Sequence, residues 1–163
     1  MKTIKTYSIW VTVLTLVVLL GMRSPFSPPM PPSNTDIITD TSWIMLSAIS
    51  NPQFYDSSSS AWTTDLFAEL ADCEEDELMH FYANDSLVLT EGEDDCSDTL
   101  DLSGSYHWFF DANEDTIIFQ LLDSNILIAA LNKLSDDTLR ISYEMSRDTT
   151  VHTHTITYVP KNY

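Results

Sequence analysis

The sequence predicts an all-β protein: an eight-stranded antiparallel up-and-down barrel with one short helix, preceded by a signal or anchor segment. After residue 40 the chain consists of short apolar runs separated by clusters of Asp, Asn and Ser, as expected for consecutive strands. The joints between most of these runs hold only a few residues, which suits hairpins rather than crossover helices. Such a meander has two unpaired edges, and closing the sheet into a barrel removes them.

The first part of the chain, residues 1–24, has the form of an export signal. Lys2 and Lys5 precede an apolar run over residues 9–22. The segment is either cleaved or retained as an anchor. A helix over residues 7–22 would span about 24 Å, less than the roughly 30 Å of a hydrocarbon core, which favours cleavage. We therefore expect an exported protein of the periplasm, cell envelope or extracellular space, in contact with a membrane only through this segment if it is not cleaved.

The second part, residues 25–39, is a proline-rich tether. It holds five of the seven prolines in the chain, and proline lacks the N–H group that sheets and helix interiors need. We expect an extended conformation here. Residues 40–163 then form the barrel domain, which is large enough for one core.

Eight runs in this domain have the composition of strands, because each is rich in apolar, β-branched or aromatic residues and is bounded by turn-forming residues. The one helix is predicted at residues 60–73, where Trp62, Leu66 and Leu70 recur at helical spacing and Thr63 or Thr64 could cap the start. The predicted strands cover residues 43–49, 77–83, 86–91, 104–110, 116–122, 126–133, 138–145 and 151–159.

The only two cysteines, Cys73 and Cys96, flank the second and third predicted strands. Asn84 and Asp85 suggest a two-residue turn that places residue 83 opposite residue 86, and the same register places the two cysteines opposite each other. Export makes a disulfide the default, and no further Cys or His stands at metal-ligand spacing. We predict a Cys73–Cys96 disulfide that contributes about 3 kcal/mol.

The charge of the chain excludes some partners. It carries 25 acidic and seven basic residues, for a net charge of −18. This excludes nucleic acid and an electrostatic attachment to anionic lipid. The acidic clusters at residues 74–77 and 91–95 form either a solvated surface or a calcium site, and their spacing matches no EF-hand loop, which favours the solvated surface.

Candidate catalytic and metal-ligating residues are few. His152 and His154 share one face of a strand, an arrangement that supplies either two metal ligands or, more commonly, half-buried side chains. The chain contains no Gly-x-Ser-x-Gly motif. We expect no metal, no cofactor and no enzymatic activity.

Several segments resemble the bacterial lipocalin-like domain family, calycin-type barrels of exported and envelope-anchored proteins. "TDTSWIMLSA" resembles the family's opening Trp segment, "DCEEDELMHFYANDSLVL" its Cys, acidic residues and turn, and "LSGSYHWFFDANEDTIIF" its Ser-Gly-x-Trp strand and hairpin; "ILIAALNKLSDDTLRISYEM" and "THTITYVPK" complete the order. Ser86 replaces the turn glycine, and Tyr106 stands where the family usually has Trp. The resemblance covers roughly residues 41–161 and implies a barrel whose apolar interior could hold a small hydrophobic molecule, without naming the molecule.

Two functions stay open, because an eight-stranded barrel can be filled by side chains or can hold one small ligand. The first is binding of a small apolar molecule inside an exported barrel. The second is a non-enzymatic structural or interaction module of the cell envelope, with a filled core and an association with cations or glycans. If a ligand binds inside, we expect it to contact six aromatic residues: Trp43, Phe81, Trp108, Phe110, Phe119 and Tyr143.

Overall fold

A computed structural model of the chain describes residues 30–57, 59–94, 105–120, 125–147 and 149–161. The predicted signal or anchor, residues 1–24, lies outside the described residues. No described helix is long and apolar enough to cross a membrane. The elements are helix α1 (Asn34–Thr39), a 3-10 helix (Phe67–Glu69), helix α2 (Asp72–Glu75), and the strands β1 (Ser42–Asp56), β2 (Ala61–Asp65), β3 (Leu78–Phe81), β4 (Ser86–Thr90), β5 (Ser105–Phe110), β6 (Thr116–Gln120), β7 (Ile126–Ser135), β8 (Thr138–Arg147) and β9 (Thr150–Pro160).

The predicted eight-stranded antiparallel barrel is confirmed. The strand order is β2-β1-β3-β4-β5-β6-β7-β8-β9, and an additional pairing between β1 and β9 closes the sheet. Strand β1 has 15 residues because its two parts pair with different strands. Its first part pairs with β3 and β9 inside the barrel, and its last part pairs with β2 beyond it. The barrel therefore consists of β1 and β3 to β9, and β2 extends β1 at one end.

The helix predicted at residues 60–73 is wrong over its first half, which forms β2. Thr63 and Thr64 are β-branched and favour a strand, and the protruding end of β1 offers a pairing partner. Asp65 ends the strand, because its carboxylate accepts the next two free backbone N–H groups, of Phe67 (3.1 Å) and Ala68 (3.2 Å), and so starts the 3-10 helix. The helical spacing of Trp62, Leu66 and Leu70 predicts one buried face. Trp62 is 64% exposed, so it does not belong to a buried face.

Helix α1 lies within the segment that the sequence predicts to be an extended tether. Ser33 and Asp36 form a capping box, in which each side chain accepts the backbone N–H of the other. Ile38 is completely buried in the barrel core, and its carbonyl oxygen accepts the indole N–H of Trp43 (2.9 Å). The helix thus covers one end of the barrel, here called the helix end. The opposite end, which carries β2 and α2, is called the distal end.

The register of the β3–β4 hairpin differs by one residue from the predicted register. Phe81 pairs with Leu87, which leaves three residues, 83–85, at the turn itself. Asp85 adopts a φ of 64° and donates its N–H to the carbonyl of Tyr82 (3.0 Å). A two-residue turn of the predicted kind needs positive φ at both central residues, whereas this turn needs it only at Asp85. Because the turn lacks glycine, the three-residue form is favoured.

This shift removes the register argument for the disulfide. Cys73 lies in α2, outside the β3–β4 ladder. Cys96 lies outside the described residues. The Cys73–Cys96 disulfide therefore stays a prediction; the expected oxidising compartment favours it, and no cysteine within the described residues is free.

Candidate functional site

The half of the barrel interior toward the helix end is packed with aromatic side chains, and we call it the aromatic half. Trp43, Phe81, Trp108 and Phe119 are between 0% and 5% exposed. These four side chains are therefore almost completely enclosed by other parts of the protein. Phe110, the fifth member, is partly buried and packs against the same core.

Direct ring contacts hold the aromatic half together. The rings of Phe81 and Trp108 are 5.0 Å apart and nearly perpendicular, and those of Trp108 and Phe110 are 5.4 Å apart in the same arrangement. The indole N–H of Trp108 donates to the carbonyl oxygens of Tyr82 (3.2 Å) and Ser86 (3.1 Å). Five of the six predicted ligand-binding residues therefore belong to a packed core whose buried indole donors are satisfied.

Toward the distal end, the inward-facing row of β9 changes from apolar to polar. Ile156 pairs with Ile141 of β8, His154 with Tyr143, and His152 with Met145. Directly opposed residues of an antiparallel pair share a face. Ile141 is 3% exposed in the core, so the whole row faces the interior. The prediction that His152 and His154 share one strand face is confirmed. We call the region of Ser50, Tyr143, His152, His154 and Ile156 the polar half.

The hydrogen bonds of His152 place a proton on its Nδ1 atom. The ring is 6% exposed, and its Nδ1 lies 2.9 Å from the carbonyl oxygen of Pro52 and 3.3 Å from the hydroxyl of Ser50. Ser50 is completely buried and donates to the same carbonyl (3.0 Å). A carbonyl oxygen only accepts, so Nδ1 of His152 carries a proton, and Nε2 is the nitrogen left to accept or to bind in the neutral ring.

His154 and Tyr143, the sixth predicted ligand-binding residue, form the next pair inward. Nδ1 of His154 lies 3.4 Å from the hydroxyl of Tyr143, and their rings are 5.3 Å apart. Burial lowers the pKa of His154, and the nearby His152 lowers it further. Burial also raises the pKa of Tyr143. Both side chains are therefore neutral at pH 7 and offer hydrogen bonds without charge.

The other two histidines lie on the outer face of the barrel. His80 is held between two hydroxyl groups, with Nδ1 2.8 Å from Ser42 and Nε2 3.0 Å from Thr90. His107 is exposed. Neither lies beside the polar half, because their strand partners Val88 and Ser86 face outward with them.

The acidic segments meet at the distal end. The carboxylate of Asp76 accepts the backbone N–H groups of Glu93 (2.5 Å) and Asp94 (3.1 Å). Burial raises the pKa of Glu77, with smaller contributions from the negative charges of Glu74, Glu91 and Asp76. Within the described ranges, no three His, Cys, Asp or Glu side chains come together as a metal site. The calcium interpretation therefore gains no support from these residues.

Two surface grooves flank the segment that joins α1 to β1. The larger has a volume of about 540 Å³ and the smaller about 250 Å³. Phe81 is the one predicted ligand-binding residue that lines either of them. The larger is lined by Pro32, Asp36, Ile37, Thr39, Asp40, Thr41 and Asp136, and the smaller by Thr39, Asp40, Thr41, Ser42, His80, Phe81, Tyr82 and Lys161.

Sequence reasoning missed Ser50, the Pro52 carbonyl and Met145 as neighbours of the histidines. Met145 could have been found from the alternation of β8, since it lies two residues beyond Tyr143. A scan against protein-family models and a search of the curated proteins found no match to this chain. The lipocalin-like resemblance therefore depends on the segments quoted above, beside a barrel that the structure establishes independently.

Proposed function

We propose that this chain is an exported, non-catalytic, lipocalin-like barrel that binds one small, largely apolar molecule in the polar half of its interior. The observation that supports this proposal is the change in burial along the barrel. The four most buried rings of the aromatic half are at most 5% exposed, whereas the inward-facing Tyr143, His154 and Ile156 are only partly buried. A ligand would therefore lie beyond the aromatic residues rather than among them.

The side chains of this region suggest the chemistry of the ligand. Ile156 lies opposite Ala48, and Leu131 lies opposite Ile141, so four apolar side chains adjoin this region. These groups suit an apolar body. Tyr143 and His154 offer one neutral hydrogen-bonding pair. We infer an uncharged molecule with an apolar body and one polar group.

The test fills the proposed space with a larger side chain. Ile156→Trp should weaken binding of the neutral apolar dye Nile red at least tenfold, because the indole would occupy the ligand's position. Ile128→Trp is the matched control, since Ile128 is 61% exposed on the outer face and its substitution should leave binding unchanged. Fluorescence titration measures both, and thermal melting verifies that each variant folds. Absence of dye binding to the parent protein, or equal binding by Ile156→Trp, would refute the proposal.

A second candidate is the filled-core interaction module. Three apolar side chains lie side by side on the outer face of β5, β6 and β7, because Phe109 pairs with Ile118 and Ile118 pairs with Ile128. Phe109 and Ile128 are 44% and 61% exposed. A photo-crosslinking residue at position 118, introduced in the native host, should capture one specific protein. Ile128→Lys should abolish this crosslink. Crosslinks that do not respond to Ile128→Lys would exclude this row as the contact surface.

A further inference from the structure

We propose that the distal rim of the polar half binds one monovalent copper ion, through the imidazoles of His152 and His154 and the thioether of Met145. Copper binding would not depend on the binding of an organic molecule. The barrel places the three donor groups on one face.

The β8–β9 ladder brings these groups together. Met145 lies directly opposite His152, and Tyr143 lies directly opposite His154. Opposed Cβ atoms are about 4.5–5.5 Å apart in such pairs, and neighbours on one face of a strand are about 7 Å apart. The two imidazoles and the thioether therefore extend from three corners of a small rectangle. Met145 is 48% exposed, so its flexible side chain is free to turn toward the histidines.

The separation of the two rings fits a shared ion. The ring centres of His152 and His154 are 6.4 Å apart. A metal about 2.0 Å from an imidazole nitrogen lies about 3.2 Å from the ring centre, so two rings on one ion are at most about 6.4 Å apart. The observed value equals this upper limit, so the two nitrogen atoms would bind the ion from opposite sides in a nearly linear arrangement. Such an arrangement leaves one side of the ion open for the sulfur atom of Met145.

The surrounding structure prepares His152 for this role. Its Nδ1–H group donates to the Pro52 carbonyl (2.9 Å), and the completely buried Ser50 lies beside that bond. Metal-binding histidines commonly donate their other N–H group in this way, which orients the ring and leaves Nε2 as the ligand atom.

The donor set selects the metal. Thioether and imidazole ligands favour Cu(I), whereas calcium and magnesium need several oxygen ligands. Glu144, the acidic residue between Tyr143 and Met145, pairs with Thr153 and faces the other side of the sheet. The guanidinium of Arg147, the next residue on the inner face, lies over the ring of Phe54 (5.9 Å from its centre). These two charged groups are therefore directed away from the three proposed ligands.

The test is an anaerobic titration of the full chain with Cu(I), in ascorbate and in competition with a chromogenic chelator. We expect one tightly bound ion per chain. His152→Ala/His154→Ala should weaken binding at least 100-fold. Met145→Leu should weaken binding of Cu(I) about tenfold while leaving that of Zn(II) unchanged, and X-ray absorption should show a sulfur neighbour of copper that this variant loses.

Matched controls come from the same chain. His107→Ala removes an exposed outer-face histidine, and Met30→Leu removes a methionine that is 89% exposed. Both should bind copper like the parent protein. Because Met145 lies at the exposed rim, its substitution should not disturb folding. No binding by the parent protein, full binding without both imidazoles, or no sulfur neighbour in the absorption spectrum would each overturn the proposal. The Nile red titration is performed without metal, so the two proposals can fail separately.

Discussion

Ile38→Ala tests whether α1 is part of the folded barrel or an extended tether. Ile38 is completely buried in the core, and its carbonyl accepts the Trp43 indole N–H. The substitution removes three carbon atoms. At about 0.8 kcal/mol per buried CH₂ group, the lost transfer free energy is roughly 2.4 kcal/mol. A residual cavity of about 50 Å³ adds roughly 1.2 kcal/mol. The free energy of unfolding should therefore fall by about 3.5 kcal/mol.

Urea denaturation measures this difference, and thermal melting should show a midpoint lower by about 10 °C. Ile37→Ala is the matched control, because Ile37 lies on the same helix but is only partly buried and lines the larger groove. It changes helix propensity equally and should cost about 1 kcal/mol or less. If both variants lose the same free energy, or neither loses any, α1 does not close the barrel and the assignment of residues 25–39 as a tether would stand.

Two further predictions concern the acidic distal end. In Gly92→Ala, the added Cβ would overlap the carboxylate and the carbonyl oxygen of Asp76. We therefore expect the free energy of unfolding, measured by urea denaturation, to fall by about 1–3 kcal/mol. A decrease under about 0.5 kcal/mol would contradict this close contact. Burial and neighbouring acids raise the pKa of Glu77 above its ordinary value of 4.5. The folded state therefore favours the protonated carboxyl group, and the stability of the protein falls as the pH rises through the folded-state pKa. Glu77→Gln should therefore stabilise the protein at pH 7 by about 0.5 kcal/mol and have almost no effect at about pH 3.5, where the carboxyl group is protonated in both states; equal effects at the two pH values would show that charge is not the cause.

The barrel was predictable because it depends on features repeated along the chain. Alternating apolar residues and short polar joints recur at every hairpin, so an error at one joint does not change the topology. The predicted strand at residues 126–133 illustrates this, since β7 begins at the expected residue and is only longer at its end. The position of the histidines on one face was predictable for the same reason, because it needs only the two-residue period of a strand.

Two kinds of feature were not predictable from the sequence: those that depend on a single local choice, and those that depend on packing between distant strands. The pattern over Trp62, Leu66 and Leu70 suggests a helix, but the segment pairs with an extension of β1 that no local signal marks. The β3–β4 register depends on whether one or two turn residues adopt positive φ. The filling of the aromatic half depends on contacts between strands far apart in sequence, such as Phe81 with Trp108. The inward-facing residues can have the same amino-acid composition in a packed core and in a ligand cavity, so composition does not distinguish the two.

The polar half depends on one such local feature, a bulge at Leu46. The pairing of β1 with β9 shifts by one residue there, so the side chains beyond it exchange faces. Ser50 consequently points inward and is completely buried beside His152, while Ile49 points outward and is 50% exposed. Without the extra residue, Ile49 would face the interior and the Ser50 hydroxyl would leave the Pro52 carbonyl and the imidazole. An apolar side chain is thus exposed and a polar one buried, against the hydrophobic preference of both. Since this arrangement sets the environment of His152, the two binding proposals made for this end of the barrel both depend on the bulge.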